Sequence, residues 1–392
     1  MSDFKVDVSV IGRFHAFNLA QSLQNKKVLN KLFTTLPKFR AKDFNIDSNK
    51  VVSCWWCEIM VRLFRKFNLI QNNPSLIYKY HHCYMNALNH YIKKSDADIF
   101  IGFAGVSLEA LKIAKSRGMI TILERGSSHR VYQQNIMKEE YKLQNIKTNI
   151  DFSQNEEVFE RELLEYQLAD YISIPSSFVK RTFLEQGFEE KKLLVNPYGV
   201  DLSEFKQIPK EDNVFRIIFA GGATLRKGYH YLLQAFYELN LPNAEVWHLG
   251  SINDEIKPFL DKYKTDKWIL KGHKPQNELY KYYSQGSVFV LPSLEDGFGM
   301  VIFQAMSCGL PVILSENTGG YDAITKDGEE GFVIPIRDVE ALKEKILYLY
   351  NNHDKCKEMG KKAKQKVEDG FTWEDYGDRY FKNLERVYNS KK

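Results

Sequence analysis

The chain has 392 residues, which at about 150 residues per domain points to two domains. Its 44% hydrophobic and 27% charged residues exclude a disordered or collagen-like polypeptide and supply a sizeable core. Lys plus Arg number 55 against 50 Asp plus Glu, a balance of +5 that permits an anionic substrate or a membrane surface but does not require nucleic acid. In chain order, Val6 to Ile11 reads as a buried strand and Phe14 to Leu23 as a helix. Asp98 to Phe103 is a strand, Ser107 to Ser116 a helix, and Met119 to Leu123 and Tyr171 to Ile174 are further strands. The Pro and Gly of Asn196-Pro197-Tyr198-Gly199 and the polar stretch Lys206 to Asn213 break the pattern. It restarts with strand Phe215 to Ala220, helix Gly228 to Leu239, strand Ala244 to Leu249, and strands Val288 to Leu291 and Val312 to Leu314.

This alternation predicts an α/β chain of two Rossmann-like parallel-sheet domains facing each other across a cleft. Residues 1–200 are expected to form the first domain and 201–370 the second. Residues 371–392 are expected to form a helix crossing back to the first domain. Cysteines 54, 57, 83, 308 and 356 are odd in number, and Cys54-x-x-Cys57 lacks a second pair at zinc-ribbon spacing. No metal and no other cofactor is expected. Met1 to Asp7 carries no leader pattern and no window approaches the roughly 18 apolar residues of a membrane span, so a reducing, cytoplasmic setting is expected. Val51 to Ile70 has helical spacing in Val52, Trp56, Ile59, Leu63, Phe67 and Ile70, with Arg62, Arg65 and Lys66 on other faces. It is either an ordinary helix packed on a sheet or a peripheral contact with a lipid surface. The basic run Lys361 to Lys366 reads as the solvated face of a helix. Asp96-x-Asp98 stands at the start of a strand, away from the carboxyl end where a metal site would form.

Two segments carry the chemistry. Phe219 to Gly228 runs from a strand through Gly221 and Gly222 into a helix, with Arg226 and Lys227 beside the turn. Such a turn serves purely as a turn or cradles a diphosphate on backbone N–H groups. The second segment runs from Phe289 to Ile313. Its strand ends at Pro292, its loop presents Glu295 and Asp296 beside Gly297, Phe298 and Gly299, and its helix carries Met300, Val301 and Gln304. Carboxylates there can accept hydrogen bonds from sugar hydroxyls, and the helix amides can hold a phosphate.

This second segment resembles the nucleotide-sugar motif of the family 4 retaining glycosyltransferases, the group 1 glycosyltransferases of GT-B fold. The resemblance continues through Gly319-Gly320, Asp327 to Phe332 and Phe371-Thr372-Trp373, and includes Tyr198 to Asp201 and Arg226-Lys227-Gly228, covering about residues 165 to 385. It implies transfer of a sugar, with retention and without a metal, from a UDP- or GDP-sugar to a glycan or lipid-linked acceptor, as in polysaccharide or glycolipid synthesis. The family's two Glu residues fall at Asp296 and Gln304, implying sugar and ribose contacts, with Glu295 able to stand in for the first. Its phosphate-binding Arg falls at Gly222, and Arg226 is the nearby substitute. In the first domain, Gly12 is placed to let the donor phosphates or the acceptor approach, with Arg13 and His15 directly after it. Arg125 and His129, just past a strand, are the catalytic candidates there. An epimerase or phosphorylase of the same fold, and a nucleotide-sugar-binding protein without turnover, are the rival readings.

Overall fold

The computed structural model describes residues 4–66, 75–146 and 156–391. Strands β1 (Val6–Val10), β2 (Leu29–Thr34), β3 (Val51–Ser53), β4 (Ile99–Phe103), β5 (Ile120–Glu124), β6 (Tyr171–Ile174) and β7 (Leu193–Val195) form one sheet, in the order β3-β2-β1-β4-β5-β6-β7. Strands β8 (Phe215–Ala220), β9 (Ala244–Leu249), β10 (Trp268–Leu270), β11 (Val288–Leu291), β12 (Val312–Ser315) and β13 (Gly331–Ile334) form a second, in the order β10-β9-β8-β11-β12-β13. Neighbouring strands are parallel; β8, for example, pairs with both β9 and β11. Parallel strands are covered by helices on both faces, which is why β1 and β8 are buried along their whole length. The strand order reverses between β1 and β4 and between β8 and β11. In open α/β sheets the carboxyl ends at such reversals form the ligand crevice.

The final helix, Trp373–Asn389, begins with a capping box in which Thr372 and Asp375 satisfy each other's backbone N–H groups. It packs against the helix Ala16–Asn25 of the first lobe. Tyr376, Tyr380, Leu384 and Val387 form its buried face. The Tyr380 hydroxyl donates to Glu124 Oε1 at 2.6 Å, and Asn383 donates to Asn196 Oδ1 at 2.8 Å. Each fully buried aromatic of this face contributes about 2–3 kcal/mol by area.

Val51 does not start a helix. Val51, Val52 and Ser53 pair with Leu32, Phe33 and Thr34 of β2, so sheet pairing overrides the helical periodicity. The helix that follows is Trp55–Lys66; residues 67–70 of the expected span lie outside the described residues. Cys54, Cys57 and Val61 are buried, whereas Trp55, Trp56, Ile59, Met60 and Leu63 face outward at 44–50% exposure. Asp96 and Asp98 serve the fold: Asp96 pairs with the Lys5 ammonium and Asp98 accepts from the Lys5 backbone N–H at 2.8 Å. The basic run lies on the helix His353–Glu368, where Lys362 and Lys364 approach Glu358 and Glu368 at 3.9 Å.

Candidate active site between the lobes

A cleft of about 1360 Å³ separates the two sheets. Arg13, Phe14 and His15, directly after β1, form one wall with Glu124 to Ser127, directly after β5. Tyr198 and Val200 to Phe205 form the floor, and Gln276, Met300 and Gln304 face them from the second lobe. The helix Met300–Ser307 starts at Gly299, whose φ of 70° turns the chain into the helix with no side-chain cap. Its first amides therefore keep their N–H groups and positive dipole end for a ligand. Gln304 is buried one turn further on, and its Oε1 accepts from the Tyr283 hydroxyl at 3.3 Å. That bond leaves the amide N–H₂ of Gln304 as the group offered to the cleft.

The cationic turn is placed differently from the expectation. Gly228 has a φ of 64°, and a Cβ there would overlap the Pro292 carbonyl, so the turn requires glycine. It delivers Arg226 to Glu295 Oε2 at 3.0 Å and the Lys227 ammonium to Asp296 Oδ2. Glu295 also accepts from the Ser128 backbone N–H and from Gln133 Nε2, both at 2.9 Å, across the lobe interface. Burial alone would raise the Glu295 carboxyl, but the Arg226 charge and these hydrogen bonds outweigh it and hold it down at about 2. Burial draws the Lys227 ammonium below its ordinary value, opposed by Asp296. Gly222, Thr224, Arg226 and Lys227 open into a separate cavity of about 320 Å³, lined also by Met137, Tyr141 and Glu255.

At the lobe interface Gly297 meets Gly126 and Ser127 so closely that a Cβ on Gly297 would overlap the Gly126 carbonyl. Ser176 Oγ donates to the Gly297 carbonyl at 2.7 Å on the same seam. The residues expected to bind the donor are split: Met300 and Gln304 line the cleft, while Gly222, Arg226 and Lys227 line the smaller cavity. Phe298 is buried, stacked on Phe303 at 4.4 Å, and Val301 is half-buried beside Met300. Gly221 is tied by its N–H to Leu249 O and by its carbonyl to His248 Nε2.

Gly12 has a φ of 74°, but its N–H donates to Thr35 Oγ1 and its carbonyl accepts from Thr34 Oγ1, so its peptide groups serve the β1–β2 loop. Arg125 lines the cleft while its guanidinium is held by Glu162 at 2.6 Å and by the Ser128 carbonyl at 2.9 Å. His129 does not line the cleft. It caps the helix Arg130–Leu143 through Nδ1 at 3.2 Å from the Val131 N–H, and its ring lies among Tyr166, Phe183 and Phe188. Burial and the Arg125 charge pull its imidazole down to about 4. The unfolded chain therefore takes up a proton that the folded chain refuses, and stability contributed by neutral His129 is lost as pH falls from about 6.5 to 4. The difference in urea midpoint between the parent and His129→Asn, which keeps the cap, should shrink over that interval and stay flat above pH 7.

Three further features were not assigned roles from the sequence. His15 Nε2 meets Glu124 Oε2 at 2.8 Å at the cleft wall, with its position directly after Gly12 as the available signal. Ser128 and Gln133 hold Glu295 from the opposite lobe. Glu140, fully buried, binds Tyr231 at 2.7 Å, His230 at 2.9 Å and Arg337 at 2.7 Å, joining the lobes a second time. Among the described residues no group of three or more His, Cys, Asp or Glu is arranged to hold a metal ion, and no helix is long and apolar enough to cross a membrane.

Residues 201–366 match the family described as Glycosyl transferases group 1. An uncharacterized glycosyltransferase of Methanocaldococcus jannaschii is 32% identical over 157 residues, which are 40% of this chain and 44% of that protein. The capsular polysaccharide biosynthesis glycosyltransferase CapM of Staphylococcus aureus is 26% identical over 247 residues, 56% of this chain and 61% of its own. The chain thus spans less than two thirds of the length of these curated relatives. The structure of HepE of Anabaena, solved with UDP-glucose, superposes with a TM-score of 0.70 at 13% identity, covering 98% of this chain and all of that one. Residues 201–366, which match the group 1 glycosyl transferase family, thus form the second lobe of a chain with the GT-B fold.

Proposed function

We propose that the protein transfers a sugar, with retention and without a metal ion, from a UDP- or GDP-sugar to a hydroxyl of a glycan or lipid-linked acceptor. The observation that carries this reading is the uncapped start of the helix Met300–Ser307, with Gln304 behind it, opening to the same cleft as Arg125 to Ser127 on a group 1 domain. The nucleotide lies along that helix, with the ribose at Gln304 and the diphosphate at the first amides. When the donor binds, the Lys227 ammonium exchanges Asp296 for a phosphate oxygen. As the sugar–oxygen bond breaks, charge builds on the diphosphate, where Lys227 and the helix amides stabilise it. Asp296, freed from the lysine, orients a sugar hydroxyl. A diphosphate oxygen takes the acceptor's proton on the face the leaving group departs from, so no protein nucleophile is needed. The UDP-glucose bound by HepE and the capsular role of the Staphylococcus relative support this donor and acceptor class.

Incubation with UDP- and GDP-sugars, with and without saccharide acceptors, tests the reading. A product of the donor's own anomeric configuration supports it, and an inverted product contradicts it. Sugar epimerised without acceptor would identify an epimerase. Tight donor binding without transfer would identify a binding protein.

A lipid-linked acceptor agrees with the outward apolar face of the helix Trp55–Lys66. Trp55, Trp56, Ile59, Met60 and Leu63 share one side, and Arg62 lies at its flank, a pattern that seats a helix in anionic headgroups. The protein should float with phosphatidylglycerol vesicles at low salt, and Trp56→Ser with Ile59→Ser should return it to the bottom fraction.

A further inference from the structure

His248 stands on β9 with no exposure, between Trp247 and Leu249, and a buried imidazole is costly without a hydrogen-bond partner. Its partner is a single carbonyl. Nε2 lies 2.9 Å from Gly221 O, and a carbonyl only accepts, so Nε2 donates whether the ring is neutral or charged. Phe219 and Tyr229 pack on the ring at 5.6 and 4.9 Å and hold its plane. Gly250 touches the same carbonyl so closely that a Cβ there would overlap it. The Gly221 carbonyl is therefore directed into the lobe. Its peptide is trans, so the Gly222 N–H of the same plane points the opposite way. Among the described residues that N–H has no acceptor, and Gly222 lines the cavity of about 320 Å³ shared with Thr224, Arg226 and Lys227.

An amide without a protein acceptor, beside two cations, suits an anionic oxygen. Glu255, the acidic residue on the same wall, has both oxygens engaged, by the Leu225 N–H at 2.9 Å and the Tyr141 hydroxyl at 2.6 Å. The N–H groups on either side are held by backbone, Gly221 on Leu249 O and Ala223 on Ser251 O, both at 2.8 Å. The peptide between them is the one whose direction depends on a side chain. It joins two glycines, which populate both signs of φ, so without His248 it is free to turn over. We propose that His248 is a positioning residue for the donor diphosphate: it holds the Gly221 carbonyl inward, so that the Gly222 N–H donates to the phosphate oxygen that Lys227 meets. The nucleoside lies along the helix Met300–Ser307 in the cleft, so this phosphate is the one farther from it. The inference deepens the glycosyl-transfer reading and rests on it for the nucleotide; inorganic pyrophosphate tests the anion site apart from it.

NMR of the full chain with isotope-labelled glycine amides, and calorimetry in parallel, provide the test; the probes are UDP, UMP and inorganic pyrophosphate. The Gly222 resonance is identified by its loss in Gly222→Ala, where the new Cβ meets only Ser251 Oγ at 3.7 Å and Thr224 Cγ2 at 4.0 Å. UDP and pyrophosphate should each move the wild-type Gly222 amide proton downfield, the sign of a hydrogen bond to an anion. His248→Phe should abolish that movement and weaken both ligands about tenfold, while His248→Gln, whose amide reaches the same carbonyl, should keep it and stay within about threefold. UMP, which lacks the second phosphate, should bind alike in all three chains, whereas general damage to the lobe would weaken it too. An unmoved Gly222 proton in the wild type, undiminished pyrophosphate binding by His248→Phe, or UMP affinity falling in step with UDP would overturn the proposal. Pyrophosphate binding with the Gly222 movement, but no binding of UDP or GDP, would instead sink the nucleotide-sugar reading and leave the anion site supported. If His248→Phe does not fold, His248→Asn, too short to reach Gly221, takes its place under the same criteria.

Discussion

Replacing Lys227 by alanine is expected to lower kcat/KM for the donor by about 10³-fold, since removing one preorganised donor to a developing oxyanion costs about 10²–10³. Two losses combine in this variant. The ammonium no longer meets the diphosphate, and Asp296, side-chain exposed by only 12%, is left without its cation beside the developing negative charge. Asp296→Asn should cost less, about 10²-fold, because Lys227 survives and loses only its resting partner. The double variant should be no worse than Lys227→Ala alone, since residues acting as one unit are not additive. Stability should follow the same asymmetry. Burial already draws Lys227 below its ordinary value, so without Asp296 it can shed its proton, whereas Lys227→Ala leaves the poorly exposed Asp296 without its cation. Urea unfolding should therefore show a larger loss for Lys227→Ala than for Asp296→Asn, of about 3 kcal/mol. Donor affinity and rate unchanged in both single variants would remove these residues from the site.

The second large effect concerns the seam. Gly297→Ala places a methyl group where the Gly126 carbonyl and the Ser127 Cα stand. Neither neighbour is a side-chain end that can swing away, so the lobes must stay apart by an ångström or more. Misplacement of reacting groups on that scale costs about 10²-fold in rate. The nucleotide contacts proposed for the helix Met300–Ser307 lie within one lobe and are untouched. The expected result is kcat lower by about 10²-fold with UDP affinity within threefold, and a larger radius of gyration by small-angle scattering. A normal kcat would mean that the two lobes do not need this contact to react.

The strands at the centre of each sheet were legible because burial on both faces makes them continuous apolar runs, as in Phe215 to Ala220 and Val288 to Leu291. The strand beside the β3 edge of the first sheet and the edge strand β10 of the second were not. Leu29 to Thr34 is interrupted by Asn30 and Lys31, which are only partly covered, and Trp268 to Leu270 is three residues long. The site divides in the same way. The glycine turn and the Glu295 to Gln304 segment are local in sequence, so residue types and spacing expose their chemistry. What Arg226 and Lys227 do at rest depends on carboxylates 69 residues away. Glu295 in turn depends on the Ser128 amide, 167 residues away in the other lobe. His129 looked available as a lone histidine after a strand; only the packing of Tyr166, Phe183 and Phe188 around it makes it a cap. The pairing of His15 was hidden for the same reason, since its partner Glu124 is 109 residues distant and reads as the last residue of an ordinary strand.

The most direct measurement is a crystal structure of the full chain soaked with UDP or GDP. The account predicts diphosphate oxygens within hydrogen-bond distance of the Met300 and Val301 amides and of Lys227 Nζ, with the Lys227–Asp296 pair broken and the ribose at Gln304. A nucleotide bound elsewhere, or one lying in the cleft with Lys227 still on Asp296 and no phosphate at the helix start, would contradict it.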